Sequence, residues 1–541
     1  QIFNERRLIQ MPKKFETKFG DYFKLPNPGL RAYFQHVVNG NDEVYRTPFY
    51  KGREPQELIK EWDTTLSTIK DKYPSLYQFE IDLGEKVGPM SVQKPLSERI
   101  PDIDAYYDLI LPKSKPISPE AIRSACKEWA DIAGIRIRSQ KKTVEIMKKS
   151  TNSGSPYFTK RRLVVNDTVP ASIGHRDQEV YQELPTGTWK ACAVLGWRGQ
   201  EGGPNPEDVK QRVVWMFPFA VNVCELQVYQ PLIAAMQSGL QPKVPAWVSM
   251  ESVDHTITKM FDTKGEKDLV ICTDFSKFDQ HFNKHMQDCA YQCLKYLLVD
   301  GDDWLTHVFP IKYTIPLAYD YGKIRFGNHG MGSGSGGTNA DETLAHRALQ
   351  HEAAISSGTK LNPYSQCLGD DGVLTFPGIT VDKVMQAYAS HGQEMNADKQ
   401  YASTHDCVYL RRWHDKDYRV DNVCVGVYST NRALGRLCEQ ERYYDPEIWG
   451  PKMVALRQLS ILENVKYHPL KEEFVDFCMK GDKYRLGLDI PGFFDNLDKI
   501  AKEATDYMPD FLGYTKSLQG DGNPDVGISN WWIVKYLKSK A

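Results

Sequence analysis

Gln366-Cys367-Leu368-Gly369-Asp370-Asp371-Gly372-Val373-Leu374 sets two short apolar runs on either side of a Gly-Asp-Asp-Gly centre. The pattern predicts a β-hairpin with two adjacent carboxylates at its tip, since Asp-Gly favours the tight turns that join antiparallel strands. Taken alone, it reads as a surface turn. Adjacent carboxylates nevertheless repel each other and are costly to remove from water together. A hard divalent cation relieves both costs and prefers oxygen ligands. The rest of the chain decides between the two readings.

The chain has 541 residues, 41% hydrophobic and 26% charged, with a net charge of −2. This is an ordinary globular composition, long enough for several lobes with their own cores. No apolar stretch is long enough to span a bilayer, and the start (Gln1-Ile2-Phe3-Asn4-Glu5-Arg6-Arg7) lacks the apolar core of a signal peptide. Met11 is a candidate natural start. The 11 cysteines form no CxxC pair, which argues for a reducing compartment and against a disulfide framework or structural zinc. Global charge does not announce a polyanionic partner, so basic charge must be sought locally.

Upstream of the hairpin, Leu269-Val270-Ile271-Cys272-Thr273-Asp274 predicts a buried strand ending at an aspartate, with a helix through Met286, Cys289, Cys293 and Leu297 behind it. Gly330-Met331-Gly332-Ser333-Gly334-Ser335-Gly336-Gly337-Thr338-Asn339 runs straight into a helical pattern. That marks a glycine loop feeding a helix N-terminus, whose free N–H groups can bind anions. Val209 to Phe217 reads as a strand with Lys210 and Arg212 on one face, both able to point at one polyphosphate. Arg136 to Arg162 is locally basic and leads into Ser153-Gly154-Ser155-Pro156 with Tyr157 and Phe158, a mixture that suits single-stranded nucleic acid. A solvated face is the plainer meaning of each basic run.

Residues 1–65 mix aromatics, charges, Pro and Gly without clear periodicity and predict an irregular extension. Residues 66–150 are mainly helical, as in Pro119 to Ala133. Downstream, residues 380–391 look helical, Asp398-Lys399 follows, and Val408-Tyr409-Leu410-Arg411-Arg412 reads as a strand. Beyond about 430 helices dominate, with Pro451 and Pro469 at starts and Gly481 at a stop. Residues 513–527 read as a loop before the aromatic end, Trp531-Trp532-Ile533-Val534-Lys535-Tyr536.

In order along the chain stand DFSKFD (Asp274, Asp279), SGSGGTN (Ser333, Thr338, Asn339), GDD (Asp370, Asp371) and ADK (Lys399), with NSGSP and KQR upstream and VYLRR downstream. This set, over residues 151–413, resembles motifs A to D, G, F and E of viral RNA-dependent RNA polymerases, and most of all those of picobirnaviruses, which carry double-stranded RNA segments. The resemblance implies an α/β (α+β) right hand closed by fingertips: fingers over 66–228 with 314–327, a palm with an RRM-like antiparallel sheet over 229–313 and 328–430, and a helical thumb and tail over 431–541. It implies template-directed RNA synthesis with two Mg²⁺ or Mn²⁺ ions held by Asp274, Asp370 and Asp371. Two ions about 3.5–4 Å apart would clamp the attacking and leaving oxygens of an in-line transfer. Lys399 would be the general acid. Lys210, Arg212, Asp279, Ser333, Thr338 and Asn339 would hold the ribonucleoside triphosphate. Ser153, Gly154, Pro156, Lys160, Arg161 and Arg411 would contact template or nascent RNA. The resemblance further implies a monomer without a membrane, a capsid-protein partner, and a place in the virion interior and host-cell cytoplasm.

One position departs from the family. Where many relatives carry an asparagine four residues after the motif B threonine to read the ribose 2′-hydroxyl, this chain has Glu342. Two rival functions remain in view. GDD in place of YxDD, together with Asp279, argues against a reverse transcriptase. Intact Asp274, Asp370 and Lys399 argue against an inactive RNA-binding structural protein. For the aromatic C-terminus two readings stand: packing on the thumb, or reaching the cleft to support initiation or block the exit.

Overall fold

The computed structural model describes residues 13–14, 19–23, 28–108, 113–239, 241, 243–445, 447–507 and 527–541. Val270–Thr273 is an inner strand, buried throughout, of a four-stranded antiparallel sheet. The sheet runs Gln366–Leu368, Asp371–Leu374, Val270–Thr273, Tyr401–Ser403. Successive side chains of the inner strand serve opposite faces. Ile271 joins Leu344, Ala348 and Cys293 in one core, while Val270 and Cys272 join Val253, Ile257 and Met260 in another. A strand covered on both sides must be apolar on both, which is why the run lacks alternation.

Register places the charged residues. Gly372 pairs with Thr273, so one further step sets Asp371 across from Asp274. On the other flank Tyr401 pairs with Cys272 and Met395 bridges Phe275, so Asn396 lies across from Asp274 and donates to its carbonyl at 3.2 Å, while Lys399 ends the short turn Ala397–Lys399 that bulges between the two pairings. The three motifs thus meet at one end of the sheet.

A second sheet of five strands carries the antiparallel ribbon Ala193–Gln200 and Lys210–Met216, and a three-stranded sheet spans Ser172–Arg176, Glu179–Leu184 and Gly187–Ala191. The C-terminal body is helical: Pro451–Glu463, Lys471–Lys480, Leu497–Tyr507 and Trp532–Ser539. Among the described residues no helix is long and apolar enough to cross a membrane, and all 11 cysteines are unpaired and buried.

Two expectations are corrected, and of the two readings of the aromatic end the packed one fits. Residues 1–65 are not simply irregular, because Pro28–Asn39 and Pro55–Leu66 are helices. Leu58, Trp62 and Leu66 lie four apart on one face of the second and enter the core of the C-terminal body with Phe474 and Leu459. Val408 to Arg412 is not one strand: Asp406–Tyr409 and Arg412–Asp415 form a hairpin turning on Leu410 and Arg411, with φ of 54° and 58°. Two positive φ values define the turn that matches strand twist, and side chains other than Gly or Asn there hide it from sequence. Finally, Trp532–Ser539 buries Ile533, Val534 and Leu537 in the C-terminal core, and Glu463 accepts from the Trp532 and Ile533 N–H groups at 3.0 and 3.2 Å. The aromatic end is packed, so it does not reach the cleft. Of the 513–527 loop, residues 513–526 lie outside the described residues.

Candidate active site

Leu368 pairs directly with Asp371, so Gly369 and Asp370 form a two-residue turn. Gly369 has φ +57°, a conformation glycine adopts without strain. Asp370 therefore stands at the tip and Asp371 is the first residue of the return strand.

The outer edge of this hairpin is clamped by the helix Thr338–Ser356 that the glycine loop opens. Gly369 N–H donates to Thr343 Oγ1 at 2.9 Å, and His346 Nδ1 lies 2.9 Å from the Gly369 carbonyl. Arg347 donates to the Ser365 carbonyl at 2.6 Å, and Gln350 to that of Gln366 at 2.8 Å. Side chains of one helix thus satisfy an edge strand that would otherwise present unpaired backbone groups. Burial holds His346 near pKa 4, hence neutral at physiological pH. Nothing in the helical pattern distinguishes these four residues from core filling, so sequence missed them.

Asp274 is held through its backbone. Its N–H donates to Gln400 Oε1 at 3.1 Å, and Gln400 Nε2 donates to its carbonyl at 2.7 Å. The Gln400 amide replaces a ladder partner and ties Lys399 to the end of the strand carrying Asp274.

These residues line a cleft of about 560 Å³. Asp274, Asp370 and Asp371 form one wall, and Lys210, Arg212, Lys399 and Arg411 supply facing positive charge. Lys86, Glu201 and Arg432 also reach it, which sequence did not foresee. Lys86 belongs to the run beginning with the helix Pro74–Gly84, whose Ser75, Gln78 and Asp82 face the same space. Gln200 Oε1 accepts from Arg212 Nε at 2.8 Å, while Glu201 lies 3.4 Å from Arg432 and 3.9 Å from Arg411.

Charges of each sign are crowded. Burial, then Asp279, raises the Asp370 carboxyl above its usual range, and burial, then Asp370, pushes Asp371 up to about 7. The Leu410 N–H donates to Asp371 at 2.9 Å and opposes that rise. Opposite, burial and then the cations Lys86, Arg212, Lys399 and Arg411 lower Lys210. An acidic wall whose carboxyls repel one another thus faces a basic wall whose cations do the same. Among the described residues no group of three or more His, Cys, Asp or Glu is arranged to hold a metal ion, so a divalent ion here would rest on one or two carboxylates. Mg²⁺ characteristically takes one or two carboxylates and completes its shell with water and phosphate oxygens.

The other sequence candidates do not line this cleft. Asp279 is half-buried and close enough to Asp370 for their charges to interact. It does not cap the following helix, a task that falls to Asn283, which accepts from His285 and Met286 N–H. Ser333 Oγ accepts from Trp215 N–H at 3.1 Å and donates to the Val213 carbonyl, pinning the glycine loop onto the strand of Lys210 and Arg212. A Cβ on Gly334 would collide with the Trp215 carbonyl, so that approach requires glycine. Thr338 Oγ1 donates to the Gly332 carbonyl at 2.9 Å, and Asn339 Oδ1 accepts from Trp247 Nε1 at 2.8 Å.

The anion expected at the loop is part of the protein. Glu225 Oε1 accepts from Gly336 N–H at 3.1 Å, and its other oxygen takes a hydrogen bond from Ser335 Oγ. Ser153, Gly154 and Pro156 are buried, with Ser153 Oγ accepting from Thr159 N–H at 3.0 Å. Arg161 donates to the Asn152 carbonyl and, at 2.7 Å, to Asn222 Oδ1, whereas Lys160 is exposed. Of this group only Lys160 presents an unhindered charge.

The family model of viral RNA-dependent RNA polymerases matches residues 134–425, just over half of the chain, and the chain belongs to that family. It is an RNA-dependent RNA polymerase with the right-hand α+β fold. A "potential RNA-dependent RNA polymerase" of Human picobirnavirus (strain Human/Thailand/Hy005102/-) is 63% identical over 526 residues, 96% of this chain and 98% of that protein. The crystal structure of a human picobirnavirus RNA-dependent RNA polymerase superposes with a TM-score of 0.92 at 62% identity, covering 97% of this chain and 99% of that one. An insertion-loop deletion mutant of such a polymerase gives 0.91 at 60% identity over the same shares.

Proposed function

We propose that the cleft extends an RNA strand by two-metal nucleotidyl transfer, as the replicating and transcribing polymerase of a double-stranded RNA virus. The observation that carries this is the meeting of the motifs in one cleft: sheet register sets Asp371 across from Asp274, Asp370 stands one residue further at the turn, and Lys399 lines the same cleft from the turn on the other flank. The 3′-hydroxyl oxygen of the growing strand attacks the α-phosphorus, the bond to the β-phosphate oxygen breaks, and pyrophosphate leaves. Asp274 and Asp370 are the residues that would hold divalent ions, with Asp371 in support; bound there, such ions would activate the hydroxyl and neutralise the leaving oxygens. Lys210 and Arg212 draw the triphosphate to the basic wall. Lys399 passes a proton to the departing pyrophosphate. The fingers, palm and thumb follow the divisions given by the resemblance. Action in the virion and host cytoplasm, as a monomer beside capsid protein, belongs to the same reading.

Asp370→Ala should lower nucleotide addition on a defined RNA primer–template by about a thousandfold or more, with fold and RNA binding retained. Near wild-type addition with Mg²⁺ would overturn the assignment.

A further inference from the structure

Glu201 is a carboxylate set among the cations of the basic wall, and the proposed reaction gives it no part. It directly follows the strand Ala193–Gln200, in the ribbon that carries Lys210 and Arg212. Its Oε1 faces two guanidinium groups from other segments: Arg432 Nε of the helix Thr430–Cys438 at 3.4 Å, and Arg411 Nη1 of the hairpin turn at 3.9 Å. Both distances are long for a hydrogen bond, and the buried Arg432 Nε has no hydrogen-bond partner. The Glu201 and Arg432 side chains are only 14% and 12% exposed, so water is largely shut out of their pair. One carboxylate oxygen is thus shared between two crowded cations and satisfies neither. Burial, then Arg432, lowers Arg411, and Glu201 opposes that fall. A phosphate chain brings several charged oxygens, which match the planar forks of two arginines better than one shared oxygen does.

We propose that Glu201 is an internal competitor for polyphosphate: paired with Arg411 and Arg432 it occupies part of the basic wall, and a ligand settles there only by displacing it. A site that is already occupied binds more weakly, in proportion to the fraction of time it stands free. The competitor therefore sets a threshold of charge. A chain of phosphates outbids a single carboxylate, whereas a singly charged anion gains nothing over it. The inference rests on the polymerase reading of the cleft. Its first test needs no catalysis, so the two can fail separately.

The probe is inorganic tripolyphosphate, titrated calorimetrically into the full chain in metal-free buffer. Glu201→Gln should bind it about fivefold or more tightly than wild type, and adding Arg432→Gln should remove most of that gain. Two controls separate the pairing from its side effects. Asp82→Asn takes a charge from the same cleft, where Gln78 rather than an arginine holds that carboxylate. Glu441→Gln breaks the 3.3 Å ion pair by which Arg198 ties the same ribbon. Neither should tighten binding by more than about twofold. Equal or weaker binding by Glu201→Gln, a gain that survives Arg432→Gln, or an equal gain in either control would each overturn the proposal. Two further titrations of Glu201→Gln identify the source of the phosphate. A lower KM for ATP in single addition on a preformed primer–template marks the triphosphate, and a lower Kd for the primer–template marks the RNA backbone. A fall in neither would overturn the proposal as well.

Discussion

Lys399 and Arg411 show how single residues divide between chemistry and strain. Lys399 is exposed in the cleft, so its loss removes the proposed proton donor without opening a core. Lys399→Leu should lower the single-turnover rate by about 10²–10⁴-fold while the apparent nucleotide Kd stays near wild type. Rapid-quench kinetics would read both, and an unchanged rate would leave Lys399 an ordinary surface lysine. Arg411 occupies a left-handed backbone conformation at φ 58° in a turn whose other central residue, Leu410, hydrogen-bonds Asp371. A long side chain there costs about 1 kcal/mol or more, and Asn tolerates the conformation better. Arg411→Asn should therefore raise stability in urea denaturation by up to about 1 kcal/mol, yet weaken RNA binding and reduce its salt slope by about 1. Loss of stability together with loss of binding would show that Arg411 serves packing.

At the scale of an element, the helix Thr338–Ser356 does more than follow a loop. Its Arg347 reaches the hairpin edge and also pairs with Glu128 at 2.9 Å, and His351 lies 2.7 Å from the same carboxylate. Burial alone would raise Glu128, but Arg347 and His351 outweigh it and hold the carboxyl at about 2. A carboxyl lowered in the folded state adds stability that is complete above its ordinary value and is lost as pH falls towards 2. Arg347→Met should cost about 1–3 kcal/mol at neutral pH, because it leaves the half-buried Glu128 with His351 alone and the Ser365 and Pro363 carbonyls without their donor. It should also flatten the loss of stability between about pH 4.5 and 2. Denaturation curves across that range give both quantities, and a variant as acid-sensitive as wild type would remove Arg347 from this role.

Across the whole molecule, the N-terminal helices are bound to the C-terminal body. Glu80, fully buried on the helix Pro74–Gly84, accepts from the Thr430 and Asn431 N–H groups and from the Ser429 and Thr430 hydroxyls, and pairs with His468 at 3.0 Å. That carboxylate caps the helix Thr430–Cys438 and joins chain segments some 350 residues apart. The final helix closes the same core. Removing residues 527–541 would take away Ile528, Ile533, Val534 and Leu537, all fully buried, and uncover the core they pack against, at a cost on the order of 5–10 kcal/mol. The truncated protein should melt far lower, with extension of a preformed primer–template falling in step. A stable truncation with faster primed extension would mean that the tail restrains the cleft after all.

The sequence alone determined three of the four strands that carry the candidate site, Tyr401–Ser403 being the one it did not give. Its strand is apolar because it is covered on both faces, its hairpin needs glycine to turn, and its carboxylates stand at strand ends; each of these is a local requirement written in adjacent residues. It also carried the glycine loop into its helix, and the facing of Lys210 and Arg212. Tertiary structure alone decided what completes the site. Thr343, His346 and Gln350 look like helix filling until the hairpin lies against them, and Gln400 acts through backbone it meets only in the sheet. The glycine loop seemed ready for an outside anion because Glu225, which occupies it, comes from 111 residues away. The Leu410–Arg411 turn stayed hidden because tertiary contacts, rather than turn-forming residues, enforce it. Local pattern can specify an element and its end; which side chain satisfies a buried polar group depends on segments that only folding brings together.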